Sequence, residues 1–387
     1  MKARKIKEEI YWVGAVDWNL RNFHGYLTQR GSTYNAYLII DEKITLIDTV
    51  KAYLEDELLK RISDVIDPSK IDYVISNHVE MDHSGALPKI LDLNPDARVI
   101  TSPKGITGLK SHFKKDWDFK VVNTGDNLNI GKRNLQFILT PMVHWPDNMI
   151  TYVPEEKILF SNDSMGQHYA SSGRFDDECQ IDIILDEAKK YYANIVLPYS
   201  KQVQKEYNAI SSLDIELIAT SHGIIWRKYV KEIIEEYKKW SSNTTTKKAV
   251  IVYDTMWKST EMIAYAIQEA FEEMSYSTSM LNLQFNHISD IMTELIDAEY
   301  ICVGSPTLNK NMLPSVAGFL TYMKGLAPAN RKAIAFGSYG WDGRSIPQIV
   351  EYLTDSGFKI VDEIKKQYIP SQDDLNEIKK SLKEKIT

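Results

Sequence analysis

The feature that most constrains this chain is a short run in which four of six residues can bind a metal. The run reads His78-Val79-Glu80-Met81-Asp82-His83. It follows the apolar segment 71–76, which has strand character, and it precedes a turn that opens a helix. Two imidazoles and two carboxylates exceed the usual share of one ion, so the run predicts a site for two metals. The simpler alternative is a polar loop in which Asp82 only caps the helix.

Composition narrows the class of protein. The chain has 387 residues, of which 43% are hydrophobic and 26% charged, as in soluble globular proteins, and this length favours two domains. A net charge of −7 without a sustained basic stripe argues against nucleic acid or an anionic membrane surface as a partner. No apolar stretch has the length of a membrane span, and two cysteines, Cys179 and Cys302, provide no disulfide framework. We therefore expect a cytoplasmic protein.

The order of strands and helices divides the chain into two different parts. In the first part, polar residues follow successive strands, which favours an αββα sandwich with its site along one sheet edge. A polar stretch that is poor in apolar residues, 241–248, indicates a linker. Beyond it, strands and helices alternate strictly, which is typical of a doubly wound parallel α/β domain. We place the two domains at residues 1–244 and 245–387.

Three further candidate metal ligands stand at strand ends or turns of the first domain. They are His144, Asp163 and His222. Each alone would be an ordinary polar residue, but together with the run at 78–83 they provide four imidazoles and three carboxylates. That set can hold two ions of Fe, Mn or Zn, and its share of oxygen ligands favours redox-active iron. Asp163 comes directly after a predicted strand, a position that suits a carboxylate bridging two metals.

These motifs resemble the metallo-β-lactamase fold, and one branch of it in particular. Hydrolases of that fold usually carry a histidine where Glu80 stands, whereas a carboxylate at this position resembles the flavodiiron proteins. Four other segments resemble the same family: Phe23-His-Gly-Tyr26, His144-Trp-Pro-Asp147, Leu159-Phe-Ser-Asn-Asp-Ser-Met-Gly-Gln-His168 and Ser221-His-Gly-Ile-Ile-Trp-Arg227. The resemblance covers essentially the whole chain.

The resemblance implies a role for each of these residues. One iron would be held by His78, Glu80 and His144, and the other by Asp82, His83 and His222, with Asp163 as the bridge. Members of the family differ in whether the histidine at position 83 reaches the metal. Three residues would line the pocket as proton and hydrogen-bond donors: His24, His168 and Tyr192. For His24 and Tyr192, an ordinary packed polar side chain is a nearly equal alternative. Asp48 would orient a ligand rather than bind metal.

The second domain carries three loops at the carboxyl ends of its strands, the edge at which doubly wound sheets bind ligands. The first, Thr255-Met256-Trp257-Lys258-Ser259-Thr260, is rich in hydroxyls and opens a helix, so it can bind a phosphate. It lacks the glycines of a Walker motif and resembles a flavodoxin phosphate loop. The other loops can flank a flavin ring, or they are only turns: Ser305-Pro306-Thr307-Leu308-Asn309 and Ser338-Tyr339-Gly340-Trp341.

The resemblance implies a flavodiiron oxidoreductase whose cofactors are FMN and two non-haem irons. FMN would pass electrons to the iron pair, which would reduce O2 to water, NO to N2O, or both. No Cys-x-x-Cys module follows the second domain, so we expect a separate electron donor such as rubredoxin. We also expect a head-to-tail homodimer, or a dimer of such dimers, that sets the flavin of one subunit against the metals of its partner.

Two functions from other classes stay open at this point. A zinc hydrolase of the metallo-β-lactamase fold with a flavin domain is one, although Glu80 argues against it. A flavodoxin-like electron carrier with a degenerate first domain is the other, although the complete set of metal ligands argues against that. O2 and NO would use the same ligands, so both remain candidate substrates.

Overall fold

The computed structural model describes residues 1–386, which fall into two compact units. The first unit comprises Met1–Tyr192 and Lys201–Lys238. The second comprises Ala193–Ser200 and the chain from Lys239 onward. Among the helices of these described residues, none is both long and apolar enough to cross a membrane.

The first unit is built on two sheets. Its strands are β1 (Arg4–Lys7), β2 (Ile10–Trp12), β3 (Ala15–Asp17), β4 (Asn22–Phe23), β5 (Tyr26–Leu27), β6 (Ser32–Tyr34), β7 (Tyr37–Ile39), β8 (Thr45–Ile47), β9 (Tyr73–Ser76), β10 (Arg98–Thr101), β11 (Phe119–Val121), β12 (Asn127–Asn129), β13 (Asn134–Leu139), β14 (Met149–Val153), β15 (Ile158–Asn162) and β16 (Leu217–Thr220). The larger sheet has the order β1-β2-β7-β8-β9-β10-β11, and its strands are parallel from β8 onward. The smaller sheet has the order β12-β13-β14-β15-β16, with only β15 and β16 parallel.

Both faces of the larger sheet are buried. Successive side chains of a strand point to opposite faces, so each strand contributes residues to two cores. One face contributes Ile39, Ile47, Ile75 and Ile100 to a core shared with Phe137 and Phe160 of the smaller sheet. The other face contributes Leu38, Leu46, Val74 and Val99 to a second core that includes Leu58, Leu87 and Leu109 from helices. The first core thus lies between the two sheets, and the second lies between the larger sheet and the helices, as in the predicted sandwich.

The helices of the first unit connect these strands. They are α1 (Glu55–Ser63), α2 (Met81–Ser84), α3 (Leu87–Leu93), α4 (Pro103–Phe113), α5 (Ile181–Tyr191), α6 (Ser200–Ile210) and α7 (Val230–Ser241). Their starts follow ordinary capping chemistry. Before α4, for example, the Ser102 hydroxyl accepts a hydrogen bond from the Gly105 amide at 3.0 Å, and Pro103 occupies the first helical position.

The second unit is a five-stranded parallel sheet with helices between its strands. Its elements are β17 (Thr246–Tyr253), α8 (Ser259–Glu273), β18 (Ser277–Asn282), α9 (Ile288–Leu295), β19 (Ala298–Gly304), α10 (Pro314–Leu326), β20 (Lys332–Tyr339), α11 (Ser345–Asp355), β21 (Lys359–Gln367) and α12 (Gln372–Lys385). The strand order β18-β17-β19-β20-β21 is the flavodoxin-like doubly wound order. The predicted fold class is confirmed in both parts of the chain.

The structure corrects two local predictions in the second half. The stretch 241–248 is not all linker, because β17 already begins at Thr246, where β-branched threonines favour extended backbone. The strand β18 and the helix α9 were not predicted. The sequence of β18, Ser-Thr-Ser-Met-Leu-Asn, is poor in apolar residues, as suits a strand at the edge of its sheet.

Candidate functional site

The ends of three strands deliver most of the predicted metal ligands. β9 ends at Ser76, and the run 78–83 follows it and enters α2. β15 ends at Asn162 and β16 at Thr220, so Asp163 and His222 follow two neighbouring parallel strands. His144 comes from the turn between β13 and β14. The same end of the sandwich therefore receives ligands from both sheets.

The seven ligand candidates form two groups whose ligand atoms lie within 4.8 Å of one another. The first group contains His78, Glu80, His144 and Asp163, and the second contains Asp82, His83 and His222. In the first group, Glu80 Oε2 lies 3.3 Å from His78 Nε2 and 3.4 Å from His144 Nε2. In the second, the two oxygens of Asp82 lie 3.4 Å from His83 Nε2 and 3.4 Å from His222 Nε2. All seven predicted ligands are thus brought together, His83 included.

Asp163 lies in the first group but also faces the second, because its two oxygens are directed at different histidines. Oδ2 lies 3.2 Å from His144 Nε2 and 3.8 Å from His78 Nε2. Oδ1 lies 3.0 Å from His83 Nε2 and 3.4 Å from His222 Nε2. A carboxylate that divides its oxygens in this way has the geometry of a bridge between two ions.

Two observations test whether metal ions fit these groups. Ligand atoms about 2.0–2.2 Å from a shared ion stand roughly 3–3.6 Å apart, which matches most of the distances between neighbouring donors here. In addition, six buried atoms have no hydrogen-bond partner among the described residues: both oxygens of Asp82, both oxygens of Asp163 and both nitrogens of His83. Buried polar atoms are rarely left unpaired, because each costs free energy, and metal coordination removes that cost for the atoms it binds. The residues fit two metals.

Hydrogen bonds at Nδ1 fix the ring orientations of two ligand candidates, His78 and His222, for metal binding. His78 Nδ1 donates to Asp147 Oδ2 at 2.9 Å, and the Val79 amide donates to the same oxygen at 2.8 Å. His222 Nδ1 donates to the Thr33 carbonyl at 2.8 Å. Each bond leaves Nε2 of its ring free to bind metal. Sequence reasoning assigned no role to Asp147 or Thr33, although Asp147 ends the quoted His-Trp-Pro-Asp segment.

Asp48, which we expected to orient a ligand, acts on the backbone before the ligand run. Its Oδ1 accepts from the Asn77 amide at 2.8 Å and its Oδ2 from the Asn77 side chain at 3.0 Å. Asp48 is buried, and it holds the residue that precedes His78 in the chain. It therefore supports the start of the ligand loop.

Opposite charges at the site shift the pKa values of its residues in opposite directions. Burial alone would lower the pKa of His83, but the carboxylates of Asp82 and Asp163 raise it to about 9. Burial would raise the pKa of Asp163 and Asp82, yet the charges of His83 and His222 hold both well below the ordinary aspartate value. Without metal, the carboxylates therefore hold a proton on His83, and a metal ion must displace it.

Two of the three predicted pocket residues lie beside the ligands. His24 Nε2 is 3.2 Å from Glu80 Oε1, although most of the His24 side chain is exposed. His168 is fully buried, with its ring centroid 4.9 Å from that of His222. A hydrogen bond of 2.7 Å joins His168 Nδ1 and the Ser32 hydroxyl, which also lies 3.1 Å from the Thr33 carbonyl. His168 Nε2 is buried without a hydrogen-bond partner among the described residues, and burial lowers the pKa of this ring. Its role as a hydrogen-bond donor stays a prediction.

The tyrosine beside these histidines is Tyr191. Its ring centroid lies 5.1 Å from that of His168 and 5.9 Å from that of His222. The ring of Tyr192, which we had named instead, packs against Tyr237 at 5.0 Å. Consecutive helical residues point about 100° apart, so the two neighbours at this helix end face different surroundings. The sequence Tyr-Tyr contains no signal that selects one of them.

A glycine next to His222 lets the chain pass close to a neighbouring segment. Gly223 has a positive φ of 79°, and a Cβ there would stand 2.4 Å from the Gln167 carbonyl oxygen. The Gly223 amide donates to Thr33 Oγ1 at 2.6 Å. Glycine at this position therefore joins His222 to the segment that binds its Nδ1.

The second unit has a cavity of about 820 Å³ at the carboxyl ends of its strands. Its lining includes eleven of the residues predicted to bind the flavin: Met256, Trp257, Ser259, Pro306, Thr307, Leu308, Asn309, Ser338, Tyr339, Gly340 and Trp341. Four further lining residues were not predicted: Lys310, Asp342, Tyr368 and Ile369. Trp257 and Trp341 are 87% and 89% exposed, which leaves their faces free for a planar ligand.

Four predicted flavin-binding residues do not line the cavity itself: Thr255, Lys258, Thr260 and Ser305. The Thr255 hydroxyl is buried without a hydrogen-bond partner in residues 1–386, as expected of a group that awaits a phosphate. Thr260 Oγ1 and Ser338 Oγ are 2.9 Å apart, and Ser305 Oγ accepts from the Leu313 amide at 2.9 Å. Thr260 thus joins the first loop to the loop at Ser338, and Ser305 joins its own loop to Leu313 at the start of α10.

Comparison with known proteins decides the family. A model described as ODP family beta lactamase matches residues 33–223, and the flavodoxin model matches residues 251–381. The nitric oxide reductase of Moorella thermoacetica is 44% identical over 377 residues, which are 96% of this chain and 94% of that protein. The chain belongs to the flavodiiron proteins.

Solved structures agree with this assignment over the full length. The rubredoxin oxygen:oxidoreductase of Desulfovibrio gigas matches with a TM-score of 0.97 and 42% identity, covering 100% of this chain and 98% of that one. The flavodiiron protein of Giardia intestinalis matches with a TM-score of 0.96 and 36% identity, covering 100% and 96%. The resemblance seen in the sequence is confirmed, and the zinc hydrolase gains no support. This flavodiiron protein is an oxidoreductase, and FMN and a diiron pair are the cofactors of its two domains.

Proposed function

We propose that this flavodiiron protein reduces O2 to water, NO to N2O, or both, at a diiron site in residues 1–244, using electrons that pass through FMN in residues 245–387. The observation that carries this proposal is the position of Asp163, whose two oxygens face two separate groups of ligands. A bridged pair can share the electrons that these reductions need. The names of its relatives, which include a nitric oxide reductase and a rubredoxin-oxygen oxidoreductase, support the same chemistry.

The side chains divide the work at the metal pair. His78, Glu80 and His144 would hold one iron, Asp82, His83 and His222 the other, and Asp163 would join them. Bound iron supplies the redox chemistry, and the protein orients its ligands. Asp147 and the Thr33 carbonyl bind Nδ1 of His78 and His222, so Nε2 of each ring is the atom that would bind iron. Two of the three ligand carboxylates are buried, which excludes water from the space between the groups.

Proton delivery falls to the residues around the ligands. His24 is exposed to solvent and touches Glu80, so its ring can carry a proton from water to the mouth of the site. His168 is buried beside His222, burial keeps its ring neutral by lowering its pKa, and its unpaired Nε2 would hydrogen-bond a polar partner in the pocket. The Tyr191 hydroxyl stays protonated because burial raises its pKa well above the ordinary value, so it can donate. Tyr191 replaces Tyr192 in this proposal.

FMN would bind in the 820 Å³ cavity of the second unit. Its phosphate would take the loop 255–260, where the Thr255 hydroxyl and the amino end of α8 converge. The isoalloxazine ring would lie between the loops 305–309 and 338–341, with Trp341 and Tyr339 beside it. Electrons would come from a separate carrier in the cytoplasm, and the name of a relative points to rubredoxin.

A side-by-side measurement tests the proposed activity. The purified protein should contain about one FMN and about two irons per chain. Fully reduced protein, mixed rapidly with O2 in one run and NO in another, should be reoxidised by at least one gas faster than free reduced flavin. Metal analysis that finds mainly zinc after growth with ample iron would contradict the iron assignment. Slow reoxidation by both gases in protein that holds both cofactors would contradict the reductase function.

We also propose the head-to-tail homodimer, in which the flavin of one subunit serves the metals of the other. Closed twofold dimers are the commonest assemblies. Subunits of a metal-deficient variant, Asp82→Ala, can be exchanged with those of a flavin-deficient variant, Thr255→Ala with Thr260→Ala. The mixture should regain activity that both parents lack. If exchange is confirmed by mass and no activity returns, electron transfer across the dimer is wrong.

A further inference from the structure

The first unit buries a carboxyl group, that of Glu206, for which the proposed mechanism has no use. Glu206, on α6, is 4% exposed and shares a helix face with the buried apolar residues Val203 and Ile210. Its Oε2 accepts a hydrogen bond from Ser164 Oγ at 2.8 Å. Its Oε1 is buried without any hydrogen-bond partner in the described chain.

No positive charge compensates this carboxyl group. Glu206 forms no ion pair within residues 1–386, and the lysines of its own helix, Lys201 and Lys205, are exposed. An isolated buried carboxylate is costly, and an apolar side chain on the same face would remove the cost. Burial raises the pKa of Glu206 to about 7, against the hydrogen bond from Ser164, which lowers it. The group can therefore change its charge near neutral pH.

Glu206 contacts the segment that holds the bridging ligand. Ser164 directly follows Asp163, and its carbonyl accepts from the Ser161 hydroxyl at 2.7 Å. The next carbonyl, of Met165, accepts from Trp226 Nε1 at 2.8 Å. The segment is thus held at the Ser164 and Met165 carbonyls. Ser164 therefore connects Glu206 to the residue next to Asp163, whose carboxylate faces both groups of ligands.

Two titratable groups lie near Glu206 and its Ser164 contact, and neither titrates near neutral pH. Tyr237, from α7, interacts with Glu206 electrostatically, and burial raises its pKa well above the ordinary value. From the loop, Asp163 has a pKa that the neighbouring histidines hold far below neutrality, against the effect of burial. A change of charge at the metal pair can therefore draw a proton to Glu206 and to neither of these neighbours.

We propose that Glu206 is a proton-holding residue of the metal site, which takes up one proton from solvent when an electron reaches the pair and releases it when that electron leaves. The electron comes from the flavin domain, so this proposal rests on the proposed function. The added negative charge is balanced by the added proton, and no bond to the metals forms or breaks. Glu206 is a positioning residue, since it acts through Ser164.

The test measures how the reduction potential of the metal pair depends on pH in the wild type and in two matched variants. Glu206→Gln keeps an oxygen that accepts from Ser164 but cannot take up a proton. Glu187→Gln changes a buried glutamate of α5 that is paired with Arg30 at 3.2 Å. From pH about 6 to about 8, where a group of this pKa titrates, the wild type and Glu187→Gln should share one pH dependence. Glu206→Gln should lose most of one proton per electron from its slope.

Each result has a defined meaning. If the metal-loaded Glu206→Gln variant keeps the wild-type slope, the proposal is overturned, and the proposed reductase function stands. A second measurement covers a variant that fails to fold or to bind metal. The infrared difference spectrum of the wild type, reduced minus oxidised, should show the carbonyl band of a newly protonated carboxylic acid. Absence of that band in protein with both irons overturns the proposal, whereas protein that binds no iron contradicts the proposed function itself.

Discussion

Removing the carboxylate of Asp147 should weaken one metal of the pair and spare the other. Asp147 is buried, and its Oδ2 accepts from His78 Nδ1 at 2.9 Å and from the Val79 amide at 2.8 Å. In Asp147→Ala the imidazole of His78 is free to rotate and to carry its proton on either nitrogen. The Val79 amide loses its partner as well. His78 belongs only to the group with Glu80 and His144, so the damage should stay on that side of Asp163.

The size of the expected loss of metal affinity follows from what is typical for residues that hydrogen-bond a ligand histidine. Removing an outer partner of a ligand histidine typically costs 10–100-fold in metal affinity, which is about 1.4–2.7 kcal/mol. The unpaired Val79 amide should also lower the free energy of unfolding of the metal-free protein by about 1–3 kcal/mol. Affinity should therefore fall at one of the two sites and change little at the other.

Chelator competition on metal-free protein can resolve the two sites. Titration with Fe²⁺ under anaerobic conditions, or with Zn²⁺ as a probe, should show two tightly held ions in the wild type. Asp147→Ala should show one tight and one weak ion. A matched control is Asp92→Ala, since Asp92 is exposed on α3 and makes no ion pair in residues 1–386. Two unchanged affinities in Asp147→Ala, or an equal loss at both sites, would refute the reasoning.

Three other predictions concern the bridge, the flavin and the thiol. Asp163→Ala should lower the iron content and abolish gas reduction while FMN stays bound, and normal turnover measured with an oxygen electrode would contradict the bridging role. Trp341→Ala should weaken FMN binding by a few-fold to about tenfold, the typical contribution of one aromatic contact. Titration of flavin-free protein with FMN, followed by the quenching of FMN fluorescence, measures this affinity. An unchanged affinity would exclude Trp341 from the ring site. Cys302 is fully buried and burial raises its pKa, so iodoacetamide should label it only after unfolding; mass spectrometry that finds rapid labelling of the native protein would show that β19 opens.

Much of the site was predictable because its chemistry is concentrated in short segments. The run 78–83 and the residues that follow three later strands name all seven ligand candidates, since a strand end is where a side chain can leave the core and face a ligand. The flavin loops were predictable for the same reason. Lys310 and Asp342 extend those loops by one residue each, so the missed lining lies at the boundaries of correct segments. Tyr368 and Ile369 follow the last strand, which no motif marked.

The features that the sequence did not predict are those that depend on packing between distant segments and not on residue type. The pair Tyr191-Tyr192 offers two identical side chains, and only the packing of the end of α5 turns the first toward His168. His168 is held at Nδ1 by the Ser32 hydroxyl, a contact between distant parts of the chain that no motif marked. The strand β18 was missed because its pairing with β17 compensates for weak apolar content. Local propensity carries no information about such partners.

The sequence by itself determined the ligand types, the class of both domains and the carboxylate at Glu80 that separates this family from related hydrolases. The ligand types and the domain classes follow from residue chemistry and periodicity, which are local, whereas the meaning of Glu80 follows from the resemblance to a known family. Only the tertiary structure decided that Asp163 faces both ligand groups, that Asp147 holds His78 and that Glu206 is buried beneath the bridge. These contacts join segments far apart in the chain. Their distances depend on how two sheets pack, because close packing selects one arrangement of the side chains between them.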